Sequence, residues 1–105
     1  MLSKTSVVDL VTKNDHAGTY ELVLVVDGPD WLLADCHPLL QDKLNNYLCY
    51  IIDGQMQKEY PDASVDRVEI LIQSDHTPPQ PTATFIARLI TAAENHGVRV
   101  RYSPL

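Results

Sequence analysis

Residues 35–37 read Asp-Cys-His, and a second imidazole follows a second aspartate at Asp75-His76. A thiol, two imidazoles and two carboxylates are raw material for two kinds of chemistry. Thiolate, imidazole and carboxylate are the ligands zinc takes in tetrahedral geometry. Alternatively, Cys36 is a nucleophile whose thiolate is favoured at a helix N-terminus, with an imidazole as its base. Successive helical residues point about 100° apart, which makes His76 a better base for Cys36 than the adjacent His37. Neither motif is complete, because adjacent Cys and His do not form a ligand spacing and no second pair lies at the usual short interval. The same letters also begin a helix: Asp35 suits the N-cap, Pro38 the first turn, and Asp42 puts a further carboxylate near the positive end of the dipole. That capping role explains DCHPLLQDK with the fewest assumptions, so no metal and no cofactor are expected.

The elements that would position these residues follow from periodicity. Ser6 to Thr12 and Thr19 to Asp27 are rich in β-branched residues, and the intervening KNDHAG carries residues that tolerate tight turns, which predicts a β-hairpin turning near Asp15 to Gly18. From Pro38 the period lengthens. Leu40, Leu44, Tyr47, Leu48, Ile51 and Ile52 recur at three- and four-residue steps, predicting an amphipathic helix with Lys43 among its polar positions and Cys49 as a small hydrophobe. Gly54 interrupts it, and Pro61 stops a further turn or two. Asp66 to Gln73 alternates as a strand, Thr82 to His96 carries a second apolar stripe between Pro81 and Gly97, and Val98 to Ser103 alternates again.

The order ββαβαβ defines an α+β fold, a single domain over residues 1–105 with a four-stranded mixed sheet and two helices packed on one face. Helix crossovers make the second, third and fourth strands parallel, and the hairpin makes the first antiparallel. The loops after the second and third strands then share one sheet edge, where ligands bind in open α/β sheets. Asp35, Cys36, His37, Asp75 and His76 form the candidate site there. Glu21, Val23, Val25, Glu69, Leu71, Gln73, Arg99 and Arg101 fall on the helix-free face. Val23, Val25 and Leu71 are its apolar centre and the candidate interface, and Glu69, Arg99 and Arg101 are expected to form cross-strand charge pairs. Trp31 is expected to anchor a loop onto the core, and Tyr60 to pack inward.

Composition narrows the function classes. Fourteen acidic against eight basic residues give a net charge of −6, with the cations scattered, which disfavours nucleic acid and anionic membrane surfaces. No apolar run suits a signal peptide or a membrane span. Two cysteines are too few for a disulfide scaffold, so the expected compartment is the cytoplasm, with both thiols free.

The stretch LLQDKLNNYLCYIIDGQMQKEYPDA, with DGPDW before it and RVEILI after it, resembles a family of short bacterial proteins of unknown function. LLQDKLNNYL and EYPDA carry most of the likeness, which extends from about Val7 to Tyr102. The resemblance implies an α+β cytoplasmic protein with no catalytic residue to carry over. It also implies that Cys36 departs from the acidic or amide residues that precede the helix in such proteins. The expected function is therefore a non-catalytic binding or interaction domain acting on a protein partner or on a second copy of itself. The alternative is a small metal-assisted or cysteine-dependent hydrolase at the shared loop edge.

Overall fold

Alternating residues form strands at Leu10–Asn14 (β1), Thr19–Val25 (β2), Val68–Ser74 (β3) and Arg99–Pro104 (β4) in the computed structural model, which describes residues 2–104. The sheet order is β1-β2-β3-β4, with β1 antiparallel to β2 and the β2–β3 and β3–β4 pairs parallel. This is the expected mixed sheet. Among the described residues the helices are Cys36–Ile52 (α1), Gln55–Glu59 (α2) and Gln80–Glu94 (α3), with short 3-10 turns at Gly28–Leu32 and Val65–Arg67.

One face of the sheet contributes Tyr20, Leu22, Leu24, Val68, Ile70, Ile72 and Val100 to a core that α1 closes with Leu40, Leu44, Tyr47 and Ile51 and α3 with Ile86 and Ala93. Leu2, completely buried, joins the same core. Each fully buried aliphatic side chain contributes about 1.5–3 kcal/mol relative to exposure. Tyr60 packs inward as expected, its ring 5.4 Å from that of Tyr20.

The hairpin closes through the Gly18 N–H to the Asn14 carbonyl at 2.8 Å, with Gly18 at φ +68°, a conformation that glycine adopts at little cost. The first strand starts later than the β-branched run suggests, at Leu10 opposite Val23. Asp9 explains the shift, because its side chain leaves the ladder and accepts the Val25 N–H at 2.9 Å on Oδ2. Three other expectations change with helix phase. Ile52 is 47% exposed, and Cys49 is exposed rather than a core hydrophobe, since it lies about 200° around the helix from the inward Tyr47. Lys43, read as a surface position, is completely buried. The second long helix starts at Gln80, with Pro81 in its first turn, and Gly97 at φ +81° follows its end.

Candidate functional site

The loops after β2 and β3 meet as the parallel strands require. Trp31, in the first 3-10 turn, is nearly inaccessible, and its indole Nε1–H donates to Ser74 Oγ and to the His76 carbonyl, each at 3.0 Å. The buried Ser74 hydroxyl also accepts the His76 N–H at 3.2 Å. Gly28 supplies the close approach, since a Cβ there would fall 2.4 Å from His76 Nδ1. Trp31 therefore anchors one loop onto the other, as its size and polar tip suggest.

The reactive side chains part company within this frame. His37 Nε2 and Thr82 Oγ1 on α3 share a hydrogen bond of 2.9 Å, and the His37 ring stacks on Phe85 with centroids 4.4 Å apart and planes 3° from parallel. His76 Nδ1 instead bonds the neighbouring Asp75 Oδ1 at 2.8 Å. That hydrogen bond holds the Asp75 carboxyl below its ordinary range. Both Asp75 and His76 are solvent-exposed. No hydrogen bond joins the two imidazoles, and no group of three or more His, Cys, Asp or Glu side chains among the described residues is placed to hold a metal ion.

Cys36 is 3% exposed. Burial, then the nearby charges of Asp30 and Asp35, pushes its thiol pKa up. The helix-terminal activation expected for a nucleophile is thus outweighed by desolvation and like charge. Asp35 does occupy the N-cap position, but its side chain makes no capping bond; only its carbonyl is used, accepting the Leu39 N–H at 3.1 Å. The stretch begins the helix through backbone geometry and a buried cysteine rather than through a carboxylate cap.

The helix-free face is organised in rows across the strands. Leu10, Val23, Leu71 and Arg101 lie in one row, and Thr12, Glu21, Glu69 and Arg99 in the next. Glu21 and Glu69 stand directly opposite each other on parallel strands, where like charges repel. Arg101 relieves this by donating from Nε to Glu69 at 2.5 Å and from Nη2 to Glu21 at 3.1 Å, and Thr12 adds a hydroxyl donor to Glu21 at 3.2 Å. Arg101 forms the expected cross-strand pairs; Arg99 forms none among the described residues. Of the expected apolar centre, Val23 and Leu71 are already 3% and 5% exposed, and Val25 is half-buried. Leu10, at 51%, is the apolar side chain that this row presents to solvent.

A polar cluster on the helix side had no sequence signal that singled it out. Lys43 Nζ donates to Asp9 Oδ1 at 2.8 Å. The Tyr47 hydroxyl accepts the Asp9 N–H at 2.9 Å and donates to the Val23 carbonyl at 3.0 Å. The cluster ties α1 to the end of the β1–β2 ladder.

The fold and these sites define a small α+β protein with a four-stranded mixed sheet. Residues 1–105 match a family of unknown function, DUF6572, and the chain belongs to that family. No curated protein and no solved structure gives a significant match. No described helix is long and apolar enough to cross a membrane.

Proposed function

We propose that this protein is a non-catalytic, cytoplasmic binding or interaction domain that works through the helix-free face of its sheet, with pairing of two copies as the simplest form. The observation that carries this reading is the commitment of each reactive side chain to a local contact. Cys36 is buried with a raised pKa, His37 is engaged by Thr82 and Phe85, and His76 by Asp75. A hydrolase needs a nucleophile and base within hydrogen-bond reach, and this arrangement supports no such pair. The helix-free face, by contrast, leaves Leu10 exposed beside a charged row.

Native mass measurement tests the proposal. Twice the 11.8 kDa chain mass is expected, reverting to the single chain in Leu10→Asp and Val25→Asp but not in His37→Ala. A wild-type protein that stays at the single-chain mass at the highest attainable concentration defeats the self-associating form. A metal adduct lost in His37→Ala or His76→Ala would defeat the non-catalytic reading.

A further inference from the structure

The parallel strands begin, at the edge opposite the two loops, around a cleft of about 240 Å³ lined by Asn14, Thr19, Glu21, Arg67, Glu69 and the arginines of β4. The sequence contains four arginines, Arg67, Arg88, Arg99 and Arg101, and three of them line this one cleft. In a chain of net charge −6, that is a concentration of positive charge.

The hydrogen bonds divide the cations into two groups. Arg101 is occupied by both glutamates of the cleft, through Nε to Glu69 and Nη2 to Glu21. Among the described residues neither Arg67 nor Arg99 has a carboxylate within 4 Å of its guanidinium, although Arg99 stands opposite Glu69 in the sheet register and the Arg67 charge helps to hold the neighbouring Asp66 carboxyl below its ordinary range. The Glu21–Arg101–Glu69 group carries one net negative charge and Arg67 and Arg99 carry two positive ones, so the lining as a whole has one positive charge in excess. The neutral lining suits the same sign of ligand. Asn14 turns its Oδ1 toward the His16 and Ala17 N–H groups at 3.1 and 3.2 Å, so its amide NH2 is the end left to donate. Arg67 also sits close over the hairpin, with Nη1 3.5 Å from where a Gly18 Cβ would lie.

We propose that this cleft binds a small anionic molecule, whose carboxylate or phosphate oxygens are held by Arg67 and Arg99. Guanidinium is the side chain suited to this task, because its planar fork donates two parallel hydrogen bonds to either oxyanion. The Glu21–Arg101–Glu69 bridge lines the same cleft. The size of the cleft matches a small metabolite rather than a polymer, and the negative charge of the whole chain argues against a polyanion. The assignment rests on reading the helix-free face as the working surface, but not on self-association.

The test is amide chemical-shift titration with inorganic phosphate and, separately, succinate, at constant ionic strength set with sodium chloride to hold screening fixed. Saturable shifts centred on Thr19, Arg67 and Arg99 are expected, with binding weakened about tenfold or more in Arg67→Gln and in Arg99→Gln and unchanged in the exposed-helix control Arg88→Gln. Tighter binding of phosphate assigns a phosphorylated ligand and tighter binding of succinate a carboxylate; either supports the cleft. Absence of saturable shifts with both anions, or shifts that persist in the Arg67→Gln/Arg99→Gln double variant, overturns it. Sedimentation of the same samples reports self-association separately, so the cleft can fail while the face remains an interface, or the reverse.

Discussion

Lys43 Nζ lies 2.8 Å from Asp9 Oδ1, and the lysine side chain is completely shielded from solvent while the aspartate keeps 13% exposure. An ammonium is removed from water at a large cost, which only close pairing with a carboxylate offsets. The other Asp9 oxygen accepts the Val25 N–H, so the same carboxylate also terminates the β1–β2 ladder. Lys43→Met keeps the length of the side chain but removes this countercharge, and it should destabilise the fold by about 3 kcal/mol. Adding Asp9→Asn should recover part of the loss, a non-additivity expected of residues in one network. Equilibrium urea unfolding measures both, and a Lys43→Met variant as stable as the wild type would show that the pair is dispensable.

Tyr47 extends the same network into the alkaline range. Burial, the largest cause, and the Asp9 charge push its pKa far above the ordinary tyrosine value, while burial and the Glu59 hydrogen bond push Tyr50 up to about 12. A folded-state pKa raised above the unfolded one means that the native protein holds its proton longer. The stabilisation is therefore complete below about pH 10 and falls as pH rises toward and past 12. Tyr47→Phe keeps the ring but strands the Val23 carbonyl and the Asp9 N–H, costing about 1–3 kcal/mol below pH 10, and its stability should decline less steeply above it. Unfolding free energies across that range, with tyrosinate absorbance followed in parallel, check the sign. Ionisation of Tyr47 before unfolding would contradict it.

Much of this architecture was legible because period reports face. Val68, Ile70 and Ile72 alternate with Glu69, Leu71 and Gln73, and that alternation alone separates the core side of β3 from the helix-free side. Helix insertion between strands fixed the parallel pairs and hence the meeting of the Trp31 and His76 loops. What the pattern could not supply was the destination of individual polar atoms. Lys43 looks like any other polar position on α1, since nothing local reveals that Asp9, thirty-four residues earlier, waits to pair with it. His37 and His76 share a sheet edge by topology, yet their partners, Thr82 and Asp75, were decided by side-chain rotamers. Cys49 fell within an apolar run and still faces solvent, because a run of consecutive apolar residues on a helix covers every direction.

The two cysteines should differ sharply in reactivity. Cys49 is exposed, whereas Cys36 is buried and its thiolate is disfavoured by desolvation and by Asp30 and Asp35. Alkylation needs the thiolate and access to it. Iodoacetamide at neutral pH is therefore expected to add once to the native protein, at Cys49, and twice after denaturation. Peptide mass mapping distinguishes the sites. Rapid native labelling of Cys36 would restore it as a nucleophile and reopen the hydrolase alternative.

If His37 is a packing residue, its energetic partner should be Phe85 rather than a ligand. The rings lie 4.4 Å apart and nearly parallel, and Thr82 fixes the imidazole from the same helix. Such aromatic pairs contribute about 0.5–1.5 kcal/mol beyond the area they bury. A double-mutant cycle with His37→Ala and Phe85→Ala should therefore return a coupling of about 1 kcal/mol in unfolding free energy, since each single change already removes the stack. His37→Phe keeps a stacking surface but gives up the bond to Thr82, so it should lose about 1 kcal/mol while the added change Thr82→Val, which removes the stranded hydroxyl, restores part of it. The cycle reads stability and not binding, so a side chain that serves a ligand rather than the packing would give coupling near zero, and that outcome would move His37 from the framework of α1 and α3 back to the candidate site.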